Sequence, residues 1–326
     1  MDIEHWLGLP IAYLSMLRSG TYGAALAVAF FIILKGARAH MGGKGPRSGL
    51  ALMFTRNVWL TRSTLVDFCL TATYSVASKI PATMLLTGII HLMMPGLIPD
   101  LAQQALAIEW SGKFLFQGAL LGFTMLVFND LANYWVHRLL HQLPWLRRIH
   151  TLHHSAEQLT LLTTHRIHPI EPLLLAIGRG LALTPVLMVA QTIFSDQLAS
   201  TLLAALCISS PLYHLTLHLQ HCHISIRYPR LLRYFLMSPH VHQIHHSSAP
   251  EHRHKNYAIV FSFWDRMFGT YLDDLPLKQV LRFGIPGRSL TFRQALTLYI
   301  QPIPFLMESF AIMRKKHAAL RRQSPQ

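Results

Sequence analysis

Five apolar runs, roughly residues 11–34, 65–97, 114–127, 173–194 and 198–212, constrain this chain more than any other feature. A hydrocarbon core is crossed by about 20 predominantly apolar residues, and each backbone polar group inside it must be satisfied by its own segment. Alternation of period two is absent, so helices are expected. Arg18, Lys79 and Arg179 interrupt three of the runs, so composition alone does not set the span edges. The 65–97 stretch is long enough for a helical hairpin, with Lys79-Ile80-Pro81 as its expected turn. With 52% hydrophobic and 13% charged residues in a length of 326, the chain is more apolar than an ordinary soluble domain.

A formal net charge of +15 fits either nucleic acid or an anionic membrane surface. Apolar composition selects the membrane, and no nucleic-acid partner is expected. Basic residues cluster beside the apolar runs, as in Arg147-Arg148, Arg227 to Arg233 and Arg314-Lys315-Lys316. Cytoplasmic loops carry this bias. The three cysteines, Cys69, Cys207 and Cys222, are too scattered for a disulfide framework or a C-x-x-C site. The opening Met-Asp-Ile-Glu-His has no basic n-region with a cleavage site, so no signal peptide is expected. Neither a repeat nor a linker divides the chain, and a single integral membrane domain over 1–326 is the simplest reading.

Of the 21 histidines, 17 fall between His137 and His254. Three groups have ligand spacing suited to a helix: His137 with His141; His150 with His153 and His154; and His242 with His245 and His246. Helix positions three and four apart share a face, so each group can aim imidazoles at one point. Imidazole suits zinc, copper, iron and nickel, and one zinc needs only three or four protein ligands. Eight histidines exceed one ion's requirement, so two metals are the economical inference. Outside the window, His5, His40, His91 and His317 read as ordinary satisfied histidines.

A helix from Phe114 to His141 would extend about 42 Å at 1.5 Å per residue, beyond a core of about 30 Å. His137 and His141 would then project from the membrane end, with Tyr134 and Trp135 as interfacial anchors. Asp130, near this pair, could support a ligand or be a surface charge. In Arg166-Ile167-His168-Pro169-Ile170-Glu171, His168 could be a further ligand. Glu171 could orient an imidazole by accepting its second N–H. Equally, Pro169 and Glu171 suit the start of a helix. The segment from His214 through His218, His221 and His223 offers more imidazoles than a site can use. Asn256-Tyr257 and Trp264 to Tyr271 read as a turn and a packed cap.

At these residues the sequence resembles the fatty acid hydroxylase and sterol desaturase superfamily. The matching stretches are Asp130-x-x-x-Tyr134-Trp135-x-His137-Arg138-x-x-His141, Trp145-x-x-x-x-His150-x-x-His153-His154, Arg166-x-His168-Pro169-x-Glu171, His221-Cys222-His223-Ile224, Pro239-x-x-His242-x-x-His245-His246, Asn256-Tyr257 and Trp264-Asp265-x-x-Phe268-Gly269-Thr270. They occur in family order across 130–271, the expected core. The resemblance implies an all-α, polytopic transmembrane bundle with a cytosolic histidine-rich helical cap. It also implies a non-haem centre of two iron ions, with zinc as a possible substitute. His137, His141, His150, His153, His154, His242, His245 and His246 carry over as ligands, followed by His168 and His221, with His218 as an alternative. Asp130, Glu171 and Asn256 are the expected supporting residues. Ala258 stands where the family often has glycine, which puts a local turn in question.

The implied activity is O2-dependent hydroxylation or desaturation of a lipid C–H bond in a multi-pass protein of the bacterial inner membrane or endoplasmic reticulum. Neither a haem motif nor a G-x-G-x-x-G nucleotide fingerprint is present, so a separate electron-donor protein is expected. Two rivals are a zinc-dependent membrane hydrolase and a histidine-rich metal transporter. The first lacks H-E-x-x-H and a glutamate within the clusters. The second would place ligands near the bilayer midplane, whereas these clusters lie outside the apolar runs.

Overall fold

The computed structural model describes residues 54–97, 112–273, 275–276 and 281–300. The first apolar run, His5, His40, His317 and the Arg314-Lys315-Lys316 tail lie outside the described residues. Within them the chain is helical, with no β-structure beyond the isolated bridges Leu236 with Phe261 and Ile285 with Arg288.

Helices α1 (Arg62–Tyr74) and α2 (Ile80–Met93) are joined by a π-helical turn, Ser75–Lys79. The hairpin expected over 65–97 does not form: the chain stays helical through this turn and bends by 56° instead of reversing. Pro81 and the π-turn explain this, because a missing N–H and a widened turn within a continuous helical path kink it without reversing it.

Then come α3 (Gly112–Gln142), α4 (Pro144–His154), α5 (Ile170–Phe194) and α6 (Leu198–Gln220). Among the described residues α3, α5 and α6 are long and apolar enough to cross a membrane, and the bent α1–α2 pair is a fourth candidate. Their outward faces carry exposed Phe116, Leu120, Phe123, Leu181, Met188 and Ile193, side chains that water would disfavour and lipid accepts.

Inside the bundle α3 packs most extensively on α6 and α5. The α3–α6 contact uses Gly118 and Gly122, one helical turn apart. A Cβ on Gly118 would fall 2.5 Å from the Ala204 Cβ, and one on Gly122 would fall 2.7 Å from the Ala205 carbonyl oxygen. Small residues let the backbones close in, as in membrane helix pairs generally. Leu121, Met125, Leu183, Leu187, Leu198 and Leu202 fill the adjacent core.

At 31 residues α3 is about 46 Å long, so it overshoots the core and carries His137 and His141 in its last two turns. Pro144 ends it by forcing Leu143 into an extended conformation, and α4 starts at once. Four further short helices, α7 (Arg230–Phe235), α8 (Pro239–His246), α9 (Ser262–Met267) and α10 (Phe292–Ile300), build a cap at this end. Tyr134, expected as an interfacial anchor, is instead fully buried and stacks on Phe268 at 5.1 Å, while Trp135 is partly exposed. Arg227 and Arg233, read as part of a basic topology signal, are paired with Asp273 at 2.8 and 2.6 Å.

Candidate metal centre

Four segments meet where α3 leaves the bundle. His137 and His141 come from α3, His150, His153 and His154 from α4, His221 from the end of α6, and His242, His245 and His246 from α8. They form two adjoining cages. One holds His137, His141, His150, His154 and His245, and the other His153, His221, His242 and His246; within each, the ligand-type nitrogens lie within 4.8 Å of one another. The second cage is wholly buried, whereas His141 and His154 of the first are only partly buried.

Protons decide what such a cage can hold. His137 Nδ1 donates to the Tyr257 carbonyl at 2.7 Å, His245 Nδ1 to the Lys255 carbonyl at 2.7 Å, His150 Nδ1 to Glu171 Oε2 at 2.7 Å and His221 Nδ1 to the Leu217 carbonyl at 2.9 Å. Each acceptor fixes the tautomer and leaves Nε2 with a lone pair. Yet the Nε2 atoms of His137 and His150 face one another at 3.2 Å. Two lone pairs cannot make a hydrogen bond; they fit a shared cation. His221 Nε2 stands likewise 3.2 Å from His153 Nε2 and 3.3 Å from His242 Nε2, and His246 Nε2 is 3.2 Å from His242 Nε2. A metal about 2.1 Å from each imidazole nitrogen sets neighbouring ligand atoms about 3.0–3.4 Å apart. The buried His245 Nε2 has no hydrogen-bond partner, again as a ligand position requires.

Burial, and then the neighbouring imidazoles, hold His150, His153, His154, His242 and His246 well below the ordinary imidazole range. His245 is held there too, by burial first and then by His137. Burial lowers His221 to about 4. These rings are neutral at pH 7, the state that ligates.

The loop 255–261 sets the orientation of two ligands through its carbonyls, and three side chains hold the loop. Asp130 accepts from the N–H groups of Ile259, Val260 and Phe261 at 3.1, 2.9 and 2.7 Å. Asn256, at φ 58°, donates to the Val241 and Leu272 carbonyls and accepts from the Leu272 N–H. Asp265, which sequence reasoning assigned only to a packed cap, accepts from the Tyr257 and Ala258 N–H groups at 2.8 and 2.9 Å. Ala258 thus completes the turn without glycine. Asp130 and Asn256 touch no imidazole; they act through the loop. Glu171 contacts an imidazole directly, and it also accepts the His168 N–H at 3.1 Å in the first turn of α5. Ligand support and helix start are the same carboxylate.

The structure leaves His168 outside both cages: its Nδ1 accepts from the Ile170 N–H, and its ring lies against Tyr299. His218 donates to the Leu161 carbonyl and packs against His165. A further buried pair, missed in the sequence, is Arg166 with Asp67 at 2.9 Å, with Ser63, Ser155 and Thr163 around it. It ties the segment between α4 and α5 to α1. No local spacing advertises Asp67.

Fold and site together define an all-helical integral membrane protein with two adjoining histidine cages that fit metal ions. Residues 122–270 match the fatty acid hydroxylase family, and the matched stretch contains every cage histidine. The chain is 28% identical over 167 residues to alkylglycerol monooxygenase of Danio rerio, covering 51% of this chain and 32% of that protein. It is 30% identical over 164 residues to the ornithine lipid hydroxylase OlsE of Rhizobium tropici, covering 50% and 45%. A protein of Dictyostelium discoideum named for methylsterol monooxygenase activity is 27% identical over 145 residues, covering 44% and 47%. The matched region therefore spans less than half the length of these relatives. No solved structure matches the chain.

Proposed function

We propose that the protein is a membrane di-iron oxygenase that hydroxylates, or desaturates, a C–H bond of a lipid such as a sterol, fatty acyl chain or ether lipid. It would use O2 and electrons from a separate donor protein, in a bacterial inner membrane or endoplasmic reticulum with the histidine cap on the cytosolic side. The observation that carries this reading is the opposition of His137 Nε2 and His150 Nε2 across one cage, beside a second cage built in the same way. Relatives named as monooxygenases and a hydroxylase of lipids support it.

The bound irons would supply the oxidation of an unactivated C–H bond by O2, chemistry that no side chain here can perform. The chain provides the rest. A cavity of about 270 Å³ among α2, α3, α5 and α6 is bordered by Leu86, Leu140, Leu175 and Leu217 and reaches His137, His150, His153, His221 and His242. A lipid carbon can therefore approach both cages from within the bundle. Glu171 and the Tyr257 and Lys255 carbonyls keep the ligating nitrogens aimed. His141 and His154 are the less buried ligands.

Purified protein incubated with iron, a reductant and membrane lipid extract should consume O2 and yield an oxidised lipid, identified by comparing lipids of cells with and without the gene. Undiminished product formation under strict anaerobiosis would refute the proposal.

A further inference from the structure

Arg179 is the tenth residue of the apolar helix α5, and it lines the same cavity as the ligands His137, His150 and His153. A guanidinium in such a helix is costly unless it meets an anion. Its recorded partners are neutral. One Nη donates to Asn133 Oδ1 at 3.0 Å and to the Tyr213 hydroxyl at 2.8 Å, with the Tyr213 ring 5.4 Å beneath the guanidinium. Its Nε is buried without a hydrogen-bond partner. The ion pairs among the described residues do not include it. Glu171, the sole acid on the cavity wall, is committed to His150 and the His168 N–H, and Lys79 adds a second cation to that wall.

The level of this cluster matters. Measured from the far ends of α3, α5 and α6, a core of about 30 Å takes about 20 residues. Asn133, Arg179 and Tyr213 then all fall within about 6 Å of where their helices leave the bilayer. Asn133 lies just outside the hydrocarbon core and Arg179 and Tyr213 about 6 Å inside its edge, a depth from which a long guanidinium side chain reaches lipid polar groups; the cages lie next to this level on the cap side.

We propose that Arg179, supported by Asn133 and Tyr213, binds the anionic group, carboxylate or phosphate, of an acidic amphipathic lipid. This anchors the lipid with a carbon facing the cages. The inference rests on the lipid-oxygenase reading for its purpose, but its test needs no turnover. The guanidinium offers unused donors, and charge-assisted bonds to carboxylate or phosphate are the strong ones. Neutral lipids of equal chain length lack that contact.

Equilibrium binding of oleate, dioleoyl phosphatidate and neutral monoolein should be measured on the full chain in a non-ionic detergent, for wild type, Arg179→Gln and Arg179→Lys. At least one acid should bind about tenfold or more tightly than monoolein. Arg179→Gln should abolish the preference, and Arg179→Lys should retain part of it. Preference for oleate assigns a carboxylate, and preference for phosphatidate a phosphate. Equal binding of charged and neutral lipids by the wild type overturns the proposal even if the variants fail to fold. So does a preference that survives Arg179→Gln. Loss of iron or O2 dependence would sink the oxygenase reading and leave this result standing.

Discussion

His137 and His150, thirteen residues apart on two helices, point Nε2 atoms at one another across 3.2 Å while each commits its Nδ1 proton to an acceptor, the Tyr257 carbonyl and Glu171. The arrangement stores a demand for a cation between them. Metal retention should therefore depend on residues that never touch the metal.

Glu171→Ala removes the acceptor for His150 and frees that ring to turn. Metal affinity should fall by about 10- to 100-fold, the usual cost of losing a ligand's hydrogen-bond partner. Glu171→Gln, whose amide oxygen still accepts, should lose less. Competition with a calibrated chelator reads both, and equal retention by wild type and Glu171→Ala would show the carboxylate to be only a helix-start device.

Asp130 acts at longer range. Asp130→Ala leaves three buried N–H groups of the 259–261 backbone without their acceptor, at about 1–3 kcal/mol each. The melting temperature should drop, and His137 should loosen because Tyr257 moves with the loop. An unchanged melting temperature would mean that the loop is held elsewhere.

Much of this was legible before any coordinates. The apolar runs gave α3, α5 and α6, and nine of the ten histidines named as ligand candidates enter the two cages. His168 does not, because spacing cannot distinguish a ring that caps α5 from one that faces a cage. The division of the nine was not readable either. His153 and His154 are neighbours in sequence, and they project from α4 into different cages. The hairpin expected at Lys79 to Pro81 failed for a related reason: a proline signal does not say whether the chain reverses or only kinks, and here proline and a π-turn bend a continuous helical path by 56°. Asp67 carries no local signature, since its partner Arg166 is distant in sequence, and the motif that contains Asp265 does not tell that its carboxylate holds backbone amides.

Gly122 tests the bundle apart from the centre. Gly122→Val would drive a branched side chain into the Ala205 backbone, only 2.7 Å from the position of a Cβ. Overpacking of this kind costs about 1–3 kcal/mol or more. Thermal denaturation in detergent should show a lower midpoint, with metal lost only as the fold melts. Wild-type stability would contradict the close α3–α6 contact.

Acid should destabilise the metal-free protein. The folded state depresses the affinity of His150, His153, His154, His221, His242, His245 and His246 for protons. Above the ordinary imidazole value of about 6.5 both folded and unfolded forms are neutral, and stability is at its full value. Below it the unfolded chain takes up protons that the folded chain refuses, so stability falls as pH drops from about 6.5 toward 4. Each imidazole that takes up a proton only in the unfolded chain steepens that fall. Melting temperatures of chelator-treated protein across that range give the slope; a flat or rising profile would contradict neutral buried rings.

The iron content of anaerobically reconstituted protein tests the central claim most directly, with the double variant His242→Ala/His246→Ala measured beside wild type. Two filled cages predict about two irons per chain in wild type and about one in the variant, which removes ligands from the second cage alone. A wild-type content of one or none, or a variant that still holds two, would contradict the paired centre.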